Sequence, residues 1–582
     1  MAIQLSPGVS VAEYDLTTVV PAVSSSTGVF AGNFVWGPAL QAIPVSDENQ
    51  LSVTFGAPNN NTAISFMTAS SFLAYGNDLR VVRALSANSL NADANTSSQN
   101  VQIANKSIYD YEYFHGGATN SLGAFAARYA GALGNSISID VWDSANTTLF
   151  KAWEFAGNFS GPTTTSSYVT NVGGHNDEIH IIVTDTLGLI TGTKGALLEA
   201  YPYVSKSSDA IDGNGVSTYY RNVLESQSQY IYAIDSVDYA NTVATWGSVA
   251  ANTTFARISS TSGHVKIQLA GGTDAAVSDG DLINAYDLFE NKDLIDISLV
   301  ITGNADVTVL QHITDNIVTP AGSVTGRSGD AVAFFSPPIS AVVNQHGFEA
   351  TNILSWLNDN GTGLQRSSSY VVVDSGWKYM YDKYNNVYRW IPLNGDIAGL
   401  CAFTDAIRDP WWSPAGYNRG NIKNAVKLAW NPNQMNRDIL YPQGVNPVVS
   451  FPGNGIILYG DKTLQAKPSA FDKINVRRLF IVLEKAIALA AKYSLFEFND
   501  AFTRAQFISL VAPFLRDVQG RRGITDFKVV CDTTNNTGYV IDNNQFVGDI
   551  YIKPARSINQ IKLNFIAVGT AVNFSEVVGS VS

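Results

Sequence analysis

The chain has 582 residues, of which 45% are hydrophobic and 15% are charged, and it is too long for a single hydrophobic core. Its net charge of −13 argues against a general binder of nucleic acid or of anionic membranes, since both ligands require a positive field. The two cysteines, Cys401 and Cys531, lie far apart and imply no disulfide framework. We therefore expect about three to five domains and buried free thiols in a reducing compartment.

The beginning of the chain reads as an extended arm, residues 1–25. Pro7, Gly8 and Pro21 interrupt any helix, while VSVAEYD alternates as a strand does. The segment has neither a basic stretch nor a continuous apolar run, so we expect no signal peptide and a soluble protein made in the cytoplasm. Frayed terminal residues are the simpler alternative to an arm.

Residues 26–90 and 336–465 predict one discontinuous α/β domain. The first part contains an apolar strand, a helical stripe over Ala63–Gly76 and the strand DLRVVRAL. The second part contains helix candidates at Thr351–Leu357 and Ile397–Ile407, and a strand pair with a turn at Asn385–Asn386.

Between these parts, short alternating strands are separated by loops rich in Gly, Ser, Thr and Asn. This pattern predicts two inserted domains, a β-rich one at 95–185 and a mixed α/β one at 186–335.

The segment 466–565 predicts a C-terminal domain with helices packed on a sheet. The apolar spacing after Asn475, the candidate N-cap, is typical of an amphipathic helix. It includes LFIVLEKAIALAA, in which charged residues interrupt the apolar run and argue against a membrane span. A second helix opens at Asn499–Asp500, is kinked or restarted at Pro513 and ends at Gly520.

Three strands follow the second helix, and the last of them alternates over residues 561–567. Residues 566–582 then form a second extended arm. The fold class is therefore α+β and multidomain, with an α/β core, a C-terminal domain of helices on a sheet, β-rich inserted domains and strand-like arms at both ends.

The sequence FLRDVQGRRG lies in a basic segment of this acidic protein. Residues 470–525 contain nine Lys and Arg residues against five Asp and Glu residues, a local net charge of +4. The arginines indicate either a solvated helix end or a surface for a negatively charged partner.

Motifs for catalysis or cofactor binding are not found. The sequence contains no GxxxxGK[ST], HExxH, GxSxG or CxxC. His175 and His180 hint weakly at a metal, but a loop-to-strand pair without a function is the safer interpretation. Trp411 and Trp412 could form a carbohydrate-stacking platform, although buried anchors of an irregular turn are more common. We predict no catalytic, cofactor-binding or metal site, no enzyme activity and no nucleic-acid ligand.

Several segments together resemble the tail sheath proteins of contractile-tailed bacteriophages. They are SSSTGVFAGNFVWGP, FLAYGNDLRVVRA, DPWWSPAGYNRG and the long string RRLFIVLEKAIALAAKYSLFEFNDAFTRAQF…FLRDVQGRRGITDFKVVCDTTNNT…VGDIYIKPARSINQIKLNFIAV. The resemblance is dense at 5–85 and 340–570, and weak over 95–335. A polysaccharide-degrading tail protein and a non-contractile shell protein remain alternatives with less support.

The resemblance implies a structural subunit of the virion rather than an enzyme, and it implies that the β-rich inserted domains are outer domains. It implies hexameric rings stacked helically around a tail tube, contraction that drives the tube through the host envelope, and partners at the baseplate and tail terminator. It also implies donated terminal strands, and we expect intersubunit contacts from Val9, Val11, Val568, Val572 and Phe574. Candidates to face an acidic tube wall are Arg504, Arg516, Arg521 and Arg522.

Overall fold

A computed structural model describes residues 23–94, 101–114, 123–234, 245–258, 261–319 and 329–561. The chain divides into two compact units. The larger unit spans Val20–Tyr493, and the smaller unit, in its described part, contains residues 494–561.

Twenty strands occur in the described residues. They are β1 (Gly28–Gly32), β2 (Ile43–Val45), β3 (Leu79–Arg83), β4 (Phe125–Ala127), β5 (Ile137–Trp142), β6 (Glu178–Asp185), β7 (Ala196–Ser205), β8 (Ile231–Ala233), β9 (His264–Gln268), β10 (Leu299–Ile301), β11 (Val332–Phe335), β12 (Val371–Asp374), β13 (Trp377–Asp382), β14 (Val387–Pro392), β15 (Lys427–Leu428), β16 (Val445–Asn446), β17 (Val448–Phe451), β18 (Gly455–Leu458), β19 (Ile524–Val530) and β20 (Asp549–Pro554).

Fifteen α-helices occur in the same residues. They are α1 (Glu48–Phe55), α2 (Ala63–Leu73), α3 (Lys106–Tyr109), α4 (Thr147–Ala152), α5 (Ser167–Asn171), α6 (Tyr220–Gln227), α7 (Asp279–Asp287), α8 (Val307–His312), α9 (Ile339–Val342), α10 (Glu349–Asn358), α11 (Asn394–Ile407), α12 (Gln434–Leu440), α13 (Ile474–Ala491), α14 (Ala501–Gly520) and α15 (Gly538–Asp542). Short 3-10 turns lie at Ala132–Ser136, Ala156–Asn158, Tyr441–Gln443, Ala470–Asp472 and Lys492–Ser494, and π-helical turns at Asp110–Phe114 and Ile313–Val318.

The larger unit is built around a seven-stranded sheet in the order β16-β12-β11-β10-β1-β3-β2. Neighbouring strands are parallel except for the edge pair β2 and β3. Val29 and Val300 enter a core covered by α7, α8 and α10, whereas Phe30 and Ile301 enter a second core covered by α2, α11 and α13. Covering both faces requires apolar strands without polar alternation, such as VAFF in β11. The predicted mixture of helices and sheets is confirmed.

The main sheet also contains strands from the segment predicted as the second inserted domain, 186–335. Strand β1 pairs with β10 through Val29 and Val300, and β10 pairs in turn with β11. Residues 299–301 and 332–335 thus join the sheet formed by 26–90 and 336–465. Strands of three and four residues are too short to show a periodicity that would identify this sheet from the sequence.

A second sheet, antiparallel and in the order β7-β6-β5-β9, crosses the predicted boundary at 185/186. One of its faces contributes Ile139 and Ile181 to a core, and the other carries an aromatic cluster that contains Trp142 and Trp153. Both predicted inserted segments therefore contribute strands to one sheet.

Local predictions in the larger unit are mostly confirmed, with one error at a helix end. Helices α10 and α11 cover the candidates at 351–357 and 397–407, and Asn386 has the positive φ of 53° expected in the β13–β14 turn. The predicted N-cap Asn475 is wrong, because α13 begins at Ile474 and its cap is Lys473. Asn475 is buried inside the helix, while the Lys473 ammonium pairs with Asp461 at 2.8 Å.

Candidate functional site

In its described residues, the smaller unit contains the long helix α14, the short helix α15 and the antiparallel pair β19–β20, which we call the hairpin. The Asp500 side chain accepts a hydrogen bond from the Thr503 backbone N–H at 2.8 Å and so caps α14, as its position after Asn499 predicts. Pro513 lies inside this helix and does not restart it. Helix α14 packs against β19, and its buried side chains recur every three or four residues: Phe507, Val511, Leu515 and Val518.

Two hydrogen bonds from one asparagine side chain and a close approach to helix α14 position the beginning of β20. The buried side-chain amide of Asn536 donates to the Val547 carbonyl at 2.8 Å and accepts from the Val547 N–H at 2.9 Å. At the next residue, a Cβ atom added to Gly548 would lie 2.7 Å from Phe507 Cε1. Glycine therefore allows the strand to approach the helix.

The two faces of the β19–β20 hairpin differ. The pairs Phe527–Ile552 and Val529–Ile550 form a half-buried apolar row, whereas Lys528 and Tyr551 are exposed. Among the described residues, this sheet has two strands, and the outer edge of each has no strand beside it. Most of the predicted third strand, 561–567, lies outside the described residues. The hairpin is thus a short sheet with two edges that can accept further strands.

The structure separates Arg504 from the other predicted arginines. Arg504 is 8% exposed, and its guanidinium donates to the Asn499 side-chain oxygen at 2.8 Å within the smaller unit. Arg516, Arg521 and Arg522 are exposed at the end of α14. Helical spacing alone could not show that Arg504 points inward.

Helix α14 ends in a Schellman motif with an unusual residue at its left-handed position. The Gly523 N–H donates to the Val518 carbonyl at 2.9 Å, and the Arg522 N–H donates to the Gln519 carbonyl at 3.0 Å. Arg522 has a φ of +67°, where glycine is usual. Gly520, the predicted end, is the last helical residue rather than the left-handed one, and Arg521 pairs with Asp517 at 2.6 Å.

The predicted arm residues Val9, Val11, Val568, Val572 and Phe574 lie outside the described residues. The first described segment, however, is firmly anchored. The Ser25 hydroxyl donates to Asp405 at 2.7 Å, and the Ser25 carbonyl accepts from Arg478 at 3.0 Å. Arg478 and Asp405 form a buried ion pair of 2.6 Å between α13 and α11. Ser25 lies 380 residues from Asp405 and 453 residues from Arg478 in the sequence, so no local sequence pattern predicts this anchor.

Other sequence candidates have structural roles. Trp411 is buried, so the Trp pair is not an exposed platform. His180 Nδ1 accepts from the Tyr203 N–H at 3.1 Å and Nε2 donates to the Gly161 carbonyl at 2.9 Å; burial lowers the pKa of His180 to about 4. Both cysteines are buried free thiols, as expected. Within the described ranges, no cluster could hold a metal ion, and no helix is long and apolar enough to span a membrane.

The chain matches known proteins over nearly its whole length. Residues 276–464 match the phage tail sheath protein central domain, and residues 466–567 match the phage tail sheath C-terminal domain. The chain is 34% identical to the tail sheath protein of Vibrio phage KVP40, over 99% of this chain and 100% of that protein. It is also 34% identical to the tail sheath protein of Enterobacteria phage T4, over 99% of each chain.

A solved structure shares the fold. The crystal structure of the sheath tail protein from Listeria innocua superposes with a TM-score of 0.51 at 11% identity, over 92% of this chain and 96% of that one. The curated relatives are structural tail sheath proteins, which are virion components, and they confirm the predicted resemblance and the prediction of a structural protein rather than an enzyme. The chain therefore belongs to the phage tail sheath protein family.

Proposed function

We propose that this chain forms hexameric rings that stack helically around a tail tube. The sheath assembles in the host cytoplasm, associates with baseplate and terminator proteins, and contracts to drive the tube through the host envelope. Strands donated from residues 1–20 and 566–582 link neighbouring subunits. The observation that carries this proposal is the β19–β20 hairpin, whose outer edges have no strand beside them among residues 494–561.

A two-stranded sheet is marginal in water, and its stability increases when further strands extend the ladder. In this hairpin, Phe527, Val529, Ile550 and Ile552 remain half-buried, so added strands would cover more apolar surface as well as the free backbone groups. Strand addition also tolerates motion, because a donated strand stays paired while rigid units on either side rotate. These properties suit a sheath that shortens without losing its connections.

The proposed tube contact uses Arg516, Arg521 and Arg522, while Arg504 serves the fold of the smaller unit. Exposed charge pairs contribute about 1 kcal/mol or less each. A row of such weak contacts with an acidic tube wall would hold the extended sheath and still release during contraction.

The arm proposal is tested by the variant Val568→Asp, Val572→Asp, Phe574→Asp in the full chain. We expect folded subunits that form no rings, tubes or striated polymers by negative-stain microscopy. The matched control Val568→Ile, Val572→Ile, Phe574→Tyr keeps the apolar alternation and should polymerise. Normal polymers from the aspartate variant would disprove strand donation by the C-terminal arm.

The tube contact is tested separately with the variants Arg516→Glu and Arg504→Gln. Arg516→Glu should reduce sheath attachment to purified tubes without changing the folding of the subunit. Arg504→Gln should instead destabilise the smaller unit, since it removes a buried donor to Asn499. Undiminished attachment by Arg516→Glu would contradict a tube-facing role.

A further inference from the structure

Two arginines in the larger unit surround one tryptophan ring. The Arg408 and Arg419 guanidinium carbons lie 5.5 and 5.4 Å from the centre of the Trp412 ring. Arg408 follows the last residue of α11, and the Arg419 Nε donates to the Ser413 carbonyl at 2.9 Å. In the part of the chain that the structure describes, neither guanidinium forms an ion pair with a carboxylate. Two like charges are thus held together on one side chain.

This arrangement is unfavourable in an isolated subunit. Desolvation, followed by the charge of Arg408, lowers the pKa of Arg419 below its ordinary value. Stacking on the indole restricts each guanidinium to few orientations but leaves its planar N–H fork able to bind a carboxylate. A carboxylate partner would remove the repulsion and form charge-assisted hydrogen bonds with little further loss of side-chain entropy.

The chain itself supplies a partner of the opposite charge. Residues 101–330 contain 24 Asp and Glu against 10 Lys and Arg, whereas residues 331–582 contain 24 Lys and Arg against 19 Asp and Glu. The negative charge of the protein is therefore concentrated in one segment, and both Arg408 and Arg419 lie outside it. Copies of such a chain attract each other when the basic part of one meets the acidic part of another.

We propose that Arg408 and Arg419, assembled around Trp412, bind carboxylate side chains in the 101–330 segment of a neighbouring copy of this chain. The contact is an electrostatic interface between subunits, distinct from the strand linkage and from the tube surface. It rests on the proposed self-assembly into a sheath.

The experiment measures polymerisation of the full chain by sedimentation, with Arg408→Glu, Arg419→Glu and the control Lys467→Glu. Lys467 is exposed, and its substitution changes the net charge equally. We expect each arginine variant to raise the critical concentration about tenfold, as for the loss of one charge-assisted hydrogen bond, while Lys467→Glu has little effect. Circular dichroism of the subunits confirms that each variant folds. Equal critical concentrations for all three would overturn the proposal.

A second measurement identifies the partner. In polymers of the Arg419→Lys variant mixed with isotope-labelled chain, a carbodiimide joins the new amine to any carboxylate in direct contact. We expect cross-links between copies to peptides from 101–330. Cross-links confined to one copy, or to residues 331–582 of another, would overturn the assignment. Failure of the unsubstituted chain to polymerise would instead contradict the proposed function, and this inference with it.

Discussion

The substitution Arg522→Gly separates the backbone strain at the end of α14 from the function of the side chain. Arg522 occupies the left-handed position of the Schellman motif with a φ of +67°. That conformation costs a non-glycine residue about 1–2 kcal/mol, whereas glycine loses about 0.5–1 kcal/mol more backbone entropy on folding. The net expectation is a gain of about 0.5–1 kcal/mol in the stability of the smaller unit.

Hydrogen exchange is the suitable assay, because all ten tryptophans lie in the larger unit and report nothing about the smaller one. Peptides from α14 and β19 should exchange about two- to fivefold more slowly in Arg522→Gly, provided that they exchange through unfolding of the smaller unit. Arg516→Gln is the matched control, since it removes a charge from a helical position without relieving backbone strain. It should leave these exchange rates unchanged.

The same two variants test why an arginine is kept at a glycine position. We expect both to weaken attachment of the sheath to tubes, although only Arg522→Gly stabilises the subunit. A more stable subunit that attaches less well would show that backbone strain is retained for the sake of the side chain. Unchanged or faster exchange in Arg522→Gly would refute the strain argument.

Three further substitutions test the interior. Asp405→Asn leaves the Arg478 guanidinium buried without its carboxylate, so it should lower the free energy of unfolding of the larger unit by about 3–5 kcal/mol. Denaturant titrations followed by tryptophan fluorescence measure this loss. The double variant Asp405→Leu, Arg478→Met should recover most of it. Burial raises the pKa of Asp374 from 3.8 to about 8. The contribution of Asp374 to the stability of the folded state is therefore complete below pH 4 and declines as the pH rises to 8. Asp374→Asn should remove that decline, and a variant with the same dependence of stability on pH as the unsubstituted chain would contradict this prediction. Gly548→Ala forces a Cβ against Phe507 and should destabilise the smaller unit by about 1–3 kcal/mol, measured as faster hydrogen exchange in β20, whereas unchanged exchange would mean that the ring moves aside.

Local periodicity was sufficient to predict much of the helical structure. The sequence predicts helices α10, α11 and α13, and apolar spacing identifies α13 because one face of that helix is buried. Strands β10 and β11 lie in the segment predicted as the second inserted domain but pair within the main parallel sheet, and the sequence does not reveal this pairing because the strands come from distant segments. Hydrogen bonds between neighbouring strands of the sheet, and not the character of the intervening loops, determine which segments share a core.

The candidate site was predicted less completely, for a related reason. The basic segment at 470–525 was recognisable from charge, but charge does not reveal which arginines point inward. Helix α14 ends at Gly520 as predicted, but no sequence rule indicates that Arg522 adopts the left-handed conformation. The anchor formed by Ser25, Asp405 and Arg478 joins positions hundreds of residues apart, so no local pattern could identify it.

The partners of each guanidinium distinguish arginines that build the subunit from arginines that serve another molecule. Arg83 is 3% exposed and donates to the carbonyls of Phe34, Gly37 and Ala130, and burial lowers its pKa to about 10. The N–H donors of such a residue are already hydrogen-bonded within its own chain, and its removal would unfold local structure. Arg516 is exposed and has no polar side-chain partner in the described residues, and Arg408 stacks on a ring beside another cation. The fold gains little from charges placed in this way, which supports the proposed interfaces of Arg516 with the tube and of Arg408 with a neighbouring subunit.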